Sequence, residues 1–273
     1  MLSKQEELVI EAFSKQSETF DEDDLKNPIL IRMRNEIRQH VLSLIKPEST
    51  MLELNSGTGL DAVYFSEHGI NVTATDISMG MIRELEKKIL KNNLQDKIKV
   101  KQCSFNNLEE LKPQKFDYIF SNFGGLNCAD DLKTVINQLD ELLNPGGIVT
   151  LVLMPPICLW ELLFVFKGNF KLAFRRFKRN GADSHLEGVY FKTYYYFPRS
   201  VKKKFGKGYV RIKLKGLRIL SPPPFMNKFY IKYPRVTNSL NVIDMKICKT
   251  PILRFCADHY IISLKKNQVI EPS

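Results

Sequence analysis

Residues 51–78, MLELNSGTGLDAVYFSEHGINVTATDIS, constrain this chain more than any other stretch. Met51 to Leu54 is short and mostly apolar, the pattern of a strand covered on both faces. Asn55-Ser56-Gly57-Thr58-Gly59 follows, a loop whose glycines let the backbone turn sharply and approach a ligand. Leu60 to His68 carries Leu60, Val63, Tyr64 and Phe65 at helical spacing, which points the first N–H groups of a helix at that loop. Gly69 stops the helix, and Asn71 to Thr75 resumes a two-residue period up to Asp76, 17 residues past Gly59. A strand, loop, helix and second strand ending in an acid at about this distance make a site for a ribose diol.

The nucleotide is narrowed by the loop itself. A dinucleotide fingerprint needs a third glycine at fixed spacing, where this chain has Leu60 or Ala62. The order here is Glu53-x-Asn55-x-Gly57-x-Gly59. A carboxylate two residues before the turn repels a pyrophosphate and attracts a cationic amino group. This pattern resembles the first motif of class I S-adenosylmethionine-dependent methyltransferases, (Glu/Asp)-x-Gly-x-Gly-x-Gly, with Asn55 in place of the first glycine. Asn tolerates left-handed backbone angles better than most residues, so the turn survives the exchange.

The likeness continues downstream. Lys97 to Gln102 alternates as a third strand and leads into Cys103-Ser104-Phe105-Asn106; Phe116 to Phe120 is a fourth strand entering Ser121-Asn122-Phe123-Gly124. Asp131 to Leu143 has an amphipathic helix pattern, Asn144-Pro145-Gly146-Gly147 ends it, and Ile148 to Leu153 is a fifth strand. What the resemblance implies is S-adenosyl-L-methionine as cofactor and S-adenosyl-L-homocysteine as product. It places Glu53, Asn55, Ser56, Gly57, Thr58, Gly59, Asp76 and Ile77 around the cofactor. Ser104, with Phe105, stands where relatives carry an acid for the adenine amino group, and Asn122 and Phe123 lie at the crevice. The implied fold is a doubly wound α/β, mostly parallel seven-stranded sheet of order 3-2-1-4-5-7-6, helices on both faces, with a basic insertion after the fifth strand.

Four regions follow: 1–48 as two helices covering the cofactor, 49–154 as the binding core, 155–208 as an insertion over the acceptor, and 209–273 as strands completing the sheet. In the first, Leu8, Val9, Ala12 and Phe13 form a stripe, Phe20 to Asp24 an acidic corner, and Ile29 to Ile45 a second helical run. By analogy with the family, Phe20 or Arg34 reaches the methionine end, an Arg suiting a carboxylate. The competing reading makes Arg32, Arg34 and Arg38 a solvated helix face.

Charge is the second clue. Between Pro155 and Lys232 stand 18 Lys and Arg against three acids, so the whole excess of +11 arises there. The segment opens nearly all apolar (Ile157 to Phe166), then interleaves Lys167, Lys171, Arg175, Arg176, Lys178 and Arg179 with Phe170, Phe174 and Phe177. It fits a helical lid over a small-molecule acceptor of anionic or amphipathic kind, a helix lying on an anionic membrane surface, a less favoured nucleic-acid grip, or a solvated basic face. His185, backed by Glu187, is the candidate acid–base pair, while Tyr194 to Tyr196 alternates as a packed strand would.

Five scattered cysteines with no Cys-x-x-Cys exclude a disulfide framework, and Cys248, Cys256 and His259 lack a fourth zinc ligand, so no metal is expected. No apolar run reaches membrane-spanning length and the opening residues lack a signal-peptide pattern, so a cytoplasmic location is expected. The sequence leaves the oligomeric state and the acceptor open. Besides small-molecule methylation, the alternatives are a nucleic-acid or lipid methyltransferase, an NAD(P)-dependent oxidoreductase, and a non-catalytic S-adenosylmethionine-binding protein.

Overall fold

A computed structural model describes residues 2–268. Three helices precede the sheet: α1 (Lys4–Gln16), α2 (Phe20–Lys26) and α3 (Pro28–Leu42). Ser3 caps α1 through a reciprocal box with Glu6, and Asn27 caps α3 with Pro28 at its first turn. The acidic corner of the sequence is therefore a helix in its own right; Asp21, Glu22 and Asp23 fill its first turn, where N–H groups favour carboxylates.

The core alternates strand and helix: β1 (Thr50–Leu54), α4 (Leu60–Glu67), β2 (Asn71–Asp76), α5 (Met79–Lys91), β3 (Ile98–Gln102), β4 (Phe116–Ser121), α6 (Leu132–Leu142) and β5 (Leu143–Leu153). β5 starts directly at the end of α6, earlier than expected. Leu143 pairs with Phe116 before a register shift, so Asn144 to Gly147 ride on the strand as an irregularity. Then come α7 (Leu159–Leu162), α8 (Phe170–Ala173), the hairpin β6 (Ala182–Leu186) and β7 (Val189–Thr193), α9 (Pro198–Phe205), β8 (Tyr209–Leu217), α10 (Asn227–Lys232), α11 (Pro234–Ile247) and β9 (His259–Lys266).

The seven strands run β3-β2-β1-β4-β5-β9-β8, the expected order once the hairpin is set aside. β1 to β5 are parallel; β9 lies antiparallel to both β5 and β8. One buried cluster joins α6 and α9 to one face of the sheet, and another joins α3, α4 and α5 to the other face. Covered on both sides, β1 needs no alternation, which is why Met51, Leu52 and Leu54 are all buried.

The insertion is not one helix. α7 and α8 are single turns, each followed by a 3-10 turn, and the β6–β7 hairpin comes next. Tyr194 to Tyr196 continue as loop rather than strand, their backbone N–H groups donating to Asn127 (from Tyr194, 2.7 Å) and Met154 (from Tyr196, 3.3 Å). No helix among the described residues is long and apolar enough to cross a membrane.

Candidate functional site

A cavity of about 180 Å³ opens at the carboxyl ends of β1, β2 and β4, where an open α/β sheet receives its ligands. The loop after β1 forms its floor. Asn55 (φ 46°), Gly57 (φ 55°) and Gly59 (φ 79°) all adopt left-handed backbone. A Cβ on Gly59 would fall 2.1 Å from Leu85 Cδ1 of α5, so only glycine lets α5 pack there. Asn55 holds the turn by two bonds: its amide donates to the Asn122 carbonyl (3.2 Å) and accepts from the Ser121 hydroxyl (2.7 Å). Room for it is made by Gly125, whose Cβ would sit 2.1 Å from Asn55 Nδ2. The bulkier residue in the loop is thus matched by a glycine after β4.

The acids are held in distinct ways. Asp76, at the end of β2, accepts from the Gly57 N–H and the Ser78 N–H, each at 2.9 Å. Burial raises its pKa and these backbone donors partly offset that. Glu53 is fully buried, and its Oε2 has no hydrogen-bond partner; nor has the Ser56 hydroxyl. Burial, then the neighbouring Asp61 charge, push the Glu53 carboxyl well above its ordinary value. Two orphaned polar atoms facing one cavity call for a polar ligand, since leaving them unpaired costs about 1–3 kcal/mol each.

Arg34 lines the cavity, but its guanidinium is largely occupied. It donates to Asp24 of α2 (2.8 and 3.2 Å) and to Asp61 of α4 (2.5 Å), and stacks over the Phe123 ring at 4.6 Å. Asp61 also accepts from Arg38 (2.7 Å) and from the Asn122 amide (2.7 Å). Burial opposes charge on Asp61, yet Arg34 and Arg38 prevail and hold its pKa low. Arg34 and Arg38 are therefore structural ties between the N-terminal helices and the core, not a solvated face.

Of the other expected residues, Ser56, Ile77, Phe105, Asn122 and Phe123 line the cavity, whereas Thr58, Gly59 and Ser104 do not. The Thr58 hydroxyl donates to Asp21 (2.5 Å), and Lys88 bonds both Asp21 and the Thr58 carbonyl. The Ser104 hydroxyl donates to Glu6 of α1 (2.5 Å), and the Asn106 amide reaches the same carboxylate (3.1 Å). An acid does stand at this loop, but it comes from α1, nearly a hundred residues upstream in sequence. Val9 and Phe13 of α1 and Phe20 of α2 complete the wall. Cavity thiols are inert: burial pushes Cys103 up to about 11 and Cys128 up to about 12.

His185 and Glu187 are not brought to the cavity. Both sit exposed at the tip of the β6–β7 hairpin, Glu187 in a left-handed turn position and His185 stacked on Tyr190 at 4.6 Å. A different imidazole stands near the site. His259, the first residue of β9, packs edge-on against Phe123 (6.2 Å) and bonds Asp258 through Nδ1 at 2.8 Å. Burial opposes charge on Asp258, but His259 and Arg176 hold its carboxyl far below the usual range. The same Arg176 joins Glu161 and Asp258, fastening the insertion to the start of β9. Sequence singled out His259 only as part of an incomplete zinc ligand set, because only the antiparallel insertion of β9 brings position 259 beside position 123.

The family model described as Methyltransferase domain matches residues 51–147, the strands and helices that build the cavity floor. This segment is a methyltransferase domain. Over 92 residues, 33% of its length, the chain is 32% identical to a bifunctional methyltransferase of Rickettsia prowazekii (strain Madrid E), covering 17% of that protein. Over 105 residues, 38% of the chain, it is 30% identical to the S-adenosyl-L-methionine-dependent Diels-Alderase iccD of Talaromyces variabilis, covering 36% of that one. The chain thus spans well under half the length of either relative. The fold extends further: the CcbJ methyltransferase from Streptomyces caelestis superimposes with a TM-score of 0.62, covering 94% of this chain and 98% of that one at 15% identity. The architecture around the methyltransferase domain is that of the class I S-adenosylmethionine-dependent methyltransferases.

Proposed function

We propose that the protein binds S-adenosylmethionine in this cavity and transfers its methyl group to a small-molecule acceptor. The observation that carries the reading is the buried, unpartnered carboxylate of Glu53 beside the Asp76 carboxylate, across a glycine-rich turn. When bound, the cofactor supplies a sulfonium carbon that a nucleophile attacks in line, leaving a neutral sulfide. Glu53 would hold its ammonium group, Asp76 its ribose hydroxyls, and Ile77 and Phe105 the faces of its base. Neither thiol competes as a nucleophile, since both stay protonated near neutral pH. Aligning acceptor and methyl carbon at close contact supplies much of the rate in such transfers. Phe13, Phe20 and Phe123 give the cavity an apolar wall that keeps water from the reacting centre. His259, with Nδ1 held by Asp258, keeps Nε2 for an acceptor proton and is our candidate base in place of His185.

Titration calorimetry with S-adenosylmethionine in two buffers of different ionisation enthalpy tests the proposal. With no ammonium group bound, burial and Asp61 outweigh Arg34 and Arg38 and Glu53 keeps its proton to higher pH; pairing with an ammonium group lowers that pKa and expels the proton. Binding therefore tightens as pH rises, and the heats differ between buffers. Glu53→Gln abolishes that difference, and Asp76→Asn weakens binding by about tenfold or more. His259→Gln lowers turnover and leaves cofactor affinity unchanged. A folded protein that takes up no S-adenosylmethionine would refute the reading. Uptake without release of S-adenosylhomocysteine would instead favour a reaction outside methyl transfer, of the class named for the Talaromyces protein.

A further inference from the structure

Away from the cavity, one face of the molecule combines apolar rings and cations in a way the proposed reaction does not use. In the segment after β5, Phe166 is 87% exposed, Phe170 59%, Leu163 50%, and Phe174 and Phe177 47% each. A second segment abuts the first, with Phe225 against Phe164 (6.1 Å) and Phe229 against Trp160 (6.0 Å), and it leaves Phe225 48% and Ile231 61% exposed. Exposed apolar side chains scattered singly need no explanation, but this many large ones on two adjoining segments mark a surface with an apolar partner.

The charge pattern says which kind. Lys167, Lys171, Lys178, Arg179, Lys228 and Lys232 make no ion pair among the described residues. Between 159 and 179 the sole acid is Glu161, buried and paired with Arg175 and Arg176, and between 219 and 235 there is none. Lys167 lies over the Phe164 ring (5.5 Å) and Lys232 over Tyr233 (5.4 Å), so rings and cations share the same surface. A second copy of the chain would bring like charge against like charge. A nucleic acid would satisfy the cations and leave Phe166 and Ile231 in water. Anionic lipid satisfies both, taking rings into the acyl boundary and cations to the headgroups.

We propose that this face, built from residues 163–179 and 225–232, docks the protein on an anionic lipid surface. Docking is independent of whether the cavity holds S-adenosylmethionine. The insertion is tied to the start of β9 through the Arg176–Asp258 ion pair (2.7 Å), so a docked face brings the sheet and its cavity to the membrane.

Sedimentation of the full chain with phosphatidylcholine vesicles containing or lacking phosphatidylglycerol is the test. Binding to the anionic vesicles is expected to exceed binding to neutral ones by roughly tenfold or more and to weaken with added salt. Phe166→Ser with Phe170→Ser, and separately Lys167→Glu with Lys171→Glu, each reduce it by about tenfold while circular dichroism shows an unchanged fold. These four side chains are exposed, so their replacement leaves the core intact. No anionic preference, unchanged binding by both variants, a dimer in solution that Phe166→Ser dissolves, or tighter binding to an RNA oligonucleotide than to vesicles would each overturn the proposal.

Discussion

At the scale of single residues, the site is set by pairs that compensate one another across the fold. Asn55 occupies a position that is glycine in the motif it resembles, and Gly125, 70 positions later, vacates the space its amide fills. Gly125→Ala is therefore expected to cost about 1–3 kcal/mol as an overpacked contact, read as a lower denaturant midpoint, and to weaken cofactor binding. Adding Asn55→Gly removes the obstructing amide while glycine accepts the positive φ at that position, so the double variant should recover most of both losses. A double variant no better than Gly125→Ala would show that the two positions do not communicate. Glu53 was legible in the sequence as an acid before the turn, since a strand register fixes where its side chain points. That Ser104 is engaged by Glu6 was not legible, because nothing local in a capping box announces a second partner.

At the scale of elements, the N-terminal helices are bolted on through buried charge. Arg34 bridges Asp24 and Asp61, with side-chain exposures of 8%, 7% and 3%, so all three groups depend on one another. Removing one partner of such a network strands the remaining charges, at a cost of about 3–5 kcal/mol. Arg34→Met should lower stability by that order and raise amide hydrogen exchange over residues 4–42 more than over β4 and β5. Equal protection in wild type and variant would mean that packing of Ile29, Met33 and Ile37 alone holds α3. The helices themselves follow from sequence through caps and apolar spacing, although α2 emerged as a helix where an acidic corner was expected. The insertion was harder to anticipate: its hairpin is held by contacts with α1, where the Gln5 amide bonds the Lys192 backbone (2.7 and 2.9 Å). Val9 and Ala12 of α1 also share a buried cluster with Val189 and Phe191 of the hairpin.

At the scale of the whole molecule, a chain of hydroxyls crosses the sheet: Tyr118 to Thr150 (2.6 Å), Thr150 to Ser263 (2.8 Å), and Ser263 to His40 of α3 (2.8 Å). Burial first, then Lys215 and Lys213, push the His40 pKa down from 6.5 to about 4. Between those values the unfolded chain binds the proton and the folded one does not, so stability falls as pH drops from about 6.5 to about 4 and loses no more from this group below that. The contribution is about 3 kcal/mol at most. His40→Gln should flatten that part of a melting-temperature profile against pH, and identical slopes in both proteins would sink the assignment. What the sequence alone determined is local: the turn, its acids, the strand and helix periods, and a charge imbalance confined to one segment, because each arises between residues near one another along the chain. Tertiary structure decided everything that joins distant positions. It set Gly125 against Asn55, spent Arg34 on Asp24 and Asp61, left His185 on an outer hairpin, and carried His259 behind Phe123 of the cavity wall. Such contacts arise where the sheet closes, and a period of two or 3.6 residues holds no record of which strand will lie beside which.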